Sequence, residues 1–304
     1  MYRNILLPLL MLLLLAITQM PAAHAAAPVP LLWKVSDADN SLYLLGSFHL
    51  LKAQDYPLSE DVEAAFADAA SLLFEIDPAE MASPNLAMQM QRAALIADGK
   101  TLADVLPKQT WANLQKMLQA SSTPIAQIEN NEPWAITMSI ALNMAQAMGF
   151  EQEQGLDNHF MMRANRAGKP VAGLETAVKQ LSVLDATPYA EQANDLDELI
   201  DDPQSAIEEL NELHAIWRAG DAAAIDKQML QQMLVDTPET YRLLIVNRNN
   251  DWMPELARRL DNSKSDNTLV VVGAAHLIGA DGLIEKMRAK GYKIERLCTA
   301  CDAK

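Results

Sequence analysis

Apolar positions occur in two kinds of run along this chain. Short runs closed by turn residues stand near both ends, and long stretches with apolar residues at helical spacing fill the middle. "LLWKVSD" (31–37) and "SLYLLGSFH" (41–49) predict two strands joined by the turn "ADN", a hairpin signal. "SLLFEID" (71–77), "KPVAGLE" (169–175), "NTLVVVGAAH" (267–276) and "YKIERL" (292–297) predict four more. The runs 42–45 and 269–272 are apolar throughout rather than alternating, which predicts central strands buried on both faces.

A helix is predicted over 59–70, with Ser59 as its N-cap. Others follow over 109–119, 133–149, 156–168, 205–220, 221–234 and 239–260, with Gly149, Gly168 and Gly220 placed for C-terminal caps. The fold class expected is α/β (α+β): a central mixed sheet with surrounding helices and a large helical insertion. Residues 26–304 are read as one domain, its helical middle spanning about 78–168 and 176–266 and serving as a lid.

Composition sharpens this picture. A chain of 304 residues, 50% hydrophobic, can bury a sizeable core. Residues 1–25 read as a signal peptide. Arg3 precedes the apolar stretch Ile5–Ile17, and Ala23-His24-Ala25 fits the small-x-small cleavage rule. The apolar stretch is shorter than the ~20 residues a spanning helix needs, so the mature protein is expected to be periplasmic or secreted, with no stable membrane span. Cleavage removes one cation and no acid, taking the net charge from −16 to −16 − 1 = −17. That charge disfavours nucleic acid as a partner. Cys298 and Cys301, in "CTAC", are expected to pair in an oxidising compartment, with two free thiols as the other reading.

Chemistry is suggested by a repeat. Gly46-x-x-His49 and Gly273-x-x-His276 each close a buried strand. A Gly three residues before a given His is expected about 4% of the time, so two at matching strand ends draw attention. Carboxyl ends of strands are where open α/β sheets hold ligands. Glu75 ends the third strand, and two imidazoles with one carboxylate make a divalent-metal set with room for water. A metal there would polarise a carbonyl, with a carboxylate near enough to take a proton. Two loop histidines and a solvated Glu remain the plainer reading.

Glu175 ends a further strand and is either a site acid or a residue opening the next helix. Arg248, between Asn247 and Asn249, is read as an oxyanion donor, a partner for Glu175 or a surface cation. In "GLDNHF" (155–160), Asp157 is expected to cap the helix, and His159 is kept as a supporting candidate. His214 is taken as a surface or core residue. The methionines, many between 81 and 162, read as core filler, with an apolar groove for a peptide as an alternative.

"YLLGSFHL", "LLFEID", "GLDNHF", "GKPVAGLET", "VNRN" and "VVVGAAHLIGADGLIEKMRAKGYKI", in this order, resemble the TraB/PrgY/GumN family over about 30–297. The animal Tiki proteins, of the same superfamily, are described as divalent-metal-dependent proteases favouring manganese or cobalt. The wider fold resembles the erythromycin-esterase/ChaN group. The resemblance implies a metal at His49, His276 and Glu75, with Mn or Co favoured and Zn an alternative. It implies catalytic roles for Glu75 and Arg248 and supporting roles for Gly46 and Gly273; Glu175, Asn249 and His159 are kept as supporting candidates from their own positions. The expected function is a divalent-metal-dependent hydrolase, most simply a peptidase with a peptide or protein substrate. A non-catalytic peptide or small-ligand binder is the first alternative, and a haem or iron binder the second. No HExxH helix is present, so zincin chemistry does not apply.

Overall fold

Six strands form one sheet in the order β4-β3-β5-β2-β1-β6, where β1 is Leu32–Ser36, β2 Ser41–Ser47, β3 Ser71–Ile76, β4 Val171–Glu175, β5 Thr268–Gly273 and β6 Lys293–Arg296. The structure is a computed structural model that describes residues 26–262 and 266–302. The signal peptide expected over 1–25 lies outside the described residues. All six predicted strands are present. β4, β3, β5 and β2 run parallel, and β1 pairs antiparallel with β2 on one side and β6 on the other. The sheet is therefore mixed. β2 is buried at every residue and β5 at all but its last, as runs with no polar alternation require.

The parallel register sets the site. Ser47 pairs with Gly273, Phe74 with Val271 and Ile76 with Glu175. The carboxyl ends of β2, β3, β4 and β5 thus open on one edge. Two predicted strands run past the true ends. β2 stops at Ser47, leaving His49 in a loop, and β5 stops at Gly273, leaving His276 in the short helix Ala274–Leu277. The glycine in each exit, Gly46 and Gly273, was the stop signal, and the predicted strands ran past it.

The helical middle packs in two regions. One continuous core joins the sheet to Trp217, Trp252 and Phe160. A second cluster, including Leu102, Leu114, Leu118, Ile136 and Leu196, lies within the helices alone. Helices at Pro84–Ala93, Tyr189–Asp201 and Leu283–Ala289 were not expected. Pro84–Ala93 buries none of its residues, and Tyr189–Asp201 is rich in acids and buries only Gln192, Ala193 and Leu196. Both carry apolar residues at helical spacing, Leu86, Met90 and Ala93 in the first and Ala193, Leu196 and Ile200 in the second, which the reading of the sequence passed over. Ser59 holds the N-cap position of Glu60–Asp68, but its side chain makes no capping bond. No helix among the described residues is long and apolar enough to cross a membrane. Cys298 and Cys301 are joined in a disulfide.

Candidate active site

Arg248 stands at the centre of the strand-edge cluster, and the backbone around it explains how. A π-helical turn, Arg242–Asn247, leads directly into the helix Arg248–Asn262. Such turns are rare and often accompany functional sites. The guanidinium is 4% exposed. Its Nε and Nη2 donate to Glu175 Oε1 at 2.9 and 2.6 Å, and Nη2 also donates to Glu75 Oε2 at 2.7 Å. Nη1 donates to Leu244 O at 3.3 Å and to His276 Nε2 at 3.0 Å. Trp252 lies under it, 4.7 Å away. All its donors are engaged within the protein. In this arrangement it is a fixed counter-charge and positioning group rather than a free oxyanion donor.

Two carboxylates share that cation and are driven apart. Glu75 also accepts from Gly273 N at 2.7 Å and Gln180 Nε2 at 3.1 Å. Burial opposes its charge, but Arg248, His276 and His49 outweigh burial and hold its carboxyl far below the usual range. Glu175 has Trp252 Nε1 at 3.4 Å as a further donor. Burial dominates there, and its pKa is raised despite Arg248. The cap of the following helix is Thr176, which accepts from Lys179 N, so Glu175 belongs to the cluster and not to the cap.

His276 is buried, 4% exposed. Asn249 Nδ2 donates to His276 O at 3.1 Å and Asp281 O at 2.9 Å, so Asn249 Oδ1 accepts from His276 Nδ1 at 2.8 Å. That assigns the ring proton to Nδ1 and leaves a lone pair on Nε2, which receives Arg248. Burial pushes this imidazole down to about 3.

His49 is the reverse case. Its side chain is 61% exposed, and its Nδ1 donates to Asp157 Oδ2 at 2.7 Å. The Asp157 carboxylate raises the imidazole to about 9. Ser47 Oγ donates to the same carboxylate oxygen. Asp157 was expected to cap its helix, Leu156–Ala167. The cap position is instead Gly155, and the Asp157 side chain makes no capping bond. Gly155 is required for this contact: a Cβ there would stand 2.2 Å from His49 O.

A single gap connects these groups. A Cβ on Gly273 would lie 3.3 Å from Glu75 Oε1, 3.5 Å from His276 Cδ2 and 3.8 Å from His49 Nε2. Glycine there keeps the space shared by both histidines and the acid open. Gly46 acts differently: its missing Cβ lets Leu31 and Ala274 approach, each Cβ at 3.1 Å. A cleft of about 350 Å3 runs from His49 and Glu75 outward. A larger cavity, about 560 Å3, is lined by none of these residues.

His159 is not brought to the cluster. It stacks on Tyr56 at 4.2 Å and lies by Arg163. His214 is a core residue bonded to Asp55 at 2.9 Å. Asp77 caps the short helix Pro78–Met81. Asp157, Ser47 and Gln180 are the residues sequence reasoning missed. "GLDNHF" drew attention to the first of them, but only as a helix cap; its reach to His49 is visible in three dimensions alone.

The donor set fits a divalent cation in kind. Each imidazole has its Nδ1 held by an oxygen, which directs Nε2 inward, and Glu75 is ionised. The fit is incomplete as arranged, because Arg248 occupies His276 Nε2. Among the described residues no three His, Cys, Asp or Glu side chains are gathered closely enough to hold an ion.

Fold and site together define an α/β protein whose polar crevice lies at the carboxyl edge of four parallel strands. The sequence model of the TraB/PrgY/gumN family matches residues 31–296, and the chain belongs to that family. It is similar to the uncharacterized protein YbaP of Escherichia coli (strain K12), 24% identical over 263 residues, covering 81% of this chain and 87% of YbaP. The YbaP of Shigella flexneri matches with the same figures.

Proposed function

We propose that this protein is a divalent-metal-dependent hydrolase. The observation that carries the reading is that His49, Glu75 and His276 all border the open space at Gly273, beside a cleft, although as arranged they do not close on a single ion. His49, His276 and Glu75 would hold the cation, with Mn or Co suggested by resemblance and Zn as an alternative. A cation bound there would polarise a carbonyl oxygen and make water a better nucleophile near neutral pH. Glu75 suits ligation better than proton transfer, because a carboxylate held so far below its usual range is a weak base. Arg248 holds Glu75 and Glu175 in place, and Asp157 and Asn249 aim the two rings. Arg3, the apolar Ile5–Ile17 and the cleavage-like Ala23-His24-Ala25 support export to the periplasm or beyond.

The test is metal content and affinity of the purified chain beside His49→Ala/His276→Ala. Near-stoichiometric Mn, Co or Zn in the wild type and none in the variant is the expected result. Equal metal in both, or none in either after reconstitution, sinks the reading.

The contact between Arg248 and His276 Nε2 favours a second reading without a metal. His49, carrying a proton near neutral pH and backed by Asp157, would then act as a general acid toward a leaving group. Turnover that survives exhaustive chelation separates the two.

A further inference from the structure

The cleft beside His49 and Glu75 has an apolar wall assembled from several separate elements. Ile76 closes β3, and Met81 follows on the short helix Pro78–Met81. Met138 comes from the helix Pro133–Ala147, and Met161 from Leu156–Ala167. Leu184 comes from Ala177–Asp185 and Leu244 from the π-helical turn. None of these six side chains is fully buried, and Met81 is 43% exposed. Each keeps apolar surface available to an occupant.

The polar lining is equally selective. Among the described residues the charged groups besides His49 are Glu75 and Asp157, each already paired within the protein. No Lys or Arg among the described residues lines the cleft, so apart from His49 it offers a phosphate or a free carboxylate no cation. Gln152, Asn158 and Gln180 line it with amide groups; Asn158 Nδ2 is bonded to Gln152 O and Gln180 Nε2 to Glu75, which leaves their amide oxygens to accept from a peptide backbone. A cavity of roughly 150 Å3 admits a benzene ring, so about 350 Å3 has room for an aromatic side chain and part of its neighbour. Methionine walls adapt to different apolar shapes.

We propose that this cleft is the subsite for a large apolar side chain, such as Phe or Leu, of a peptide substrate, seated beside the bond presented to His49 and Glu75. The proposal rests on the hydrolase reading and adds the substrate class to it.

The probes are fluorescein-labelled heptapeptides of Ala and Ser, identical except for a central Phe, Leu, Ala or Asp. Binding is read by anisotropy with the full chain carrying His49→Ala, and cleavage by the wild type with manganese is mapped by mass spectrometry. Phe and Leu peptides should bind roughly tenfold tighter than Ala, with Asp weaker still. Met138→Lys should abolish the difference. Met161→Ala, a milder change for the fold, should reduce it.

No binding of any peptide, equal binding of Phe and Asp, or a preference untouched by both variants overturns the subsite. Selective binding with no cleavage keeps the subsite and removes the hydrolase reading. Cleavage with no selectivity keeps the hydrolase and removes the subsite.

Discussion

The two Gly-x-x-His segments share a spacing and a sheet edge but not an environment. At the second, His276 is sealed beneath Arg248 and Trp252, its Nδ1 on a neutral amide. At the first, His49 is open to solvent and its Nδ1 rests on the Asp157 carboxylate. Burial lowers one imidazole to about 3, and a carboxylate raises the other to about 9. The glycines divide in the same way, Gly46 admitting packing neighbours and Gly273 leaving room in the site. A repeated motif can therefore supply one rigid member and one responsive member of the same site.

The largest effect should come from the buried end. Arg248→Met strands Glu75 and Glu175, two buried carboxylates, without their shared cation. Removing one partner of a buried pair costs about 3–5 kcal/mol. Asp157→Asn at the open end should cost less, because His49 is largely in solvent and its attraction to Asp157 is screened there. Urea unfolding at pH 7 measures both, and equal losses would erase the contrast between the two ends.

Acid should separate the two histidines next. The folded pKa of His276 lies below its unfolded value of 6.5, so the unfolded chain takes up a proton that the folded chain refuses. Its contribution is present above 6.5 and lost as pH falls toward about 3. The stability difference between wild type and His276→Gln should shrink by a few kcal/mol, ~1.4 per pKa unit, across that window. Glu75, also depressed, adds loss of the same sign below its unfolded value of 4.5. His49 runs the other way: its contribution is present below 6.5 and fades as pH rises through about 9. Ring NMR should titrate His49 near 9 in the wild type and lower in Asp157→Asn. An unchanged value in that variant would remove Asp157 as the cause.

Much of the sheet was legible because burial on both faces writes continuous apolar runs, as in Leu42–Leu45 and Leu269–Val272. The convergence of His49, Glu75, Glu175 and His276 on one edge followed from placing them at strand ends. What was hidden depends on three dimensions. Asp157 at a helix start looks the same whether it caps its own backbone or reaches a loop more than a hundred residues away. The donors of Arg248 could not be assigned before its π-helical turn was placed. The helix Pro84–Ala93 has a stripe, Leu86, Met90 and Ala93, that was overlooked beside the longer helices, and it buries none of its residues.

A smaller effect tests how the open end is built. The Cβ of Gly155→Ala would stand 2.2 Å from His49 O, and backbone atoms there cannot yield as a flexible side chain does. The helix Leu156–Ala167 must shift, at about 1–3 kcal/mol. That shift should carry Asp157 away from His49, so the imidazole should titrate lower even though neither partner is altered. A variant with wild-type titration would show that the contact survives without the close backbone approach.

Gly273→Ala should change stability least and function most. Its Cβ would meet Glu75 Oε1 at 3.3 Å and His276 Cδ2 at 3.5 Å, contacts that small side-chain movements can absorb. The expected loss of stability is under about 1 kcal/mol. The added methyl nevertheless fills the space shared by His49, Glu75 and His276, so affinity for manganese should fall at least tenfold. Gly46→Ala supplies the control, because the atoms nearest its Cβ belong to Leu31 and Ala274, at 3.1 Å, and not to His49, Glu75 or His276. It should lose more stability than Gly273→Ala and bind any metal as the wild type does. Calorimetric titration with manganese, read beside urea unfolding, measures both properties in both variants. If Gly273→Ala binds metal unchanged, the space between the two Gly-x-x-His segments is not where a cation sits, and the glycine serves the chain exit from β5 instead.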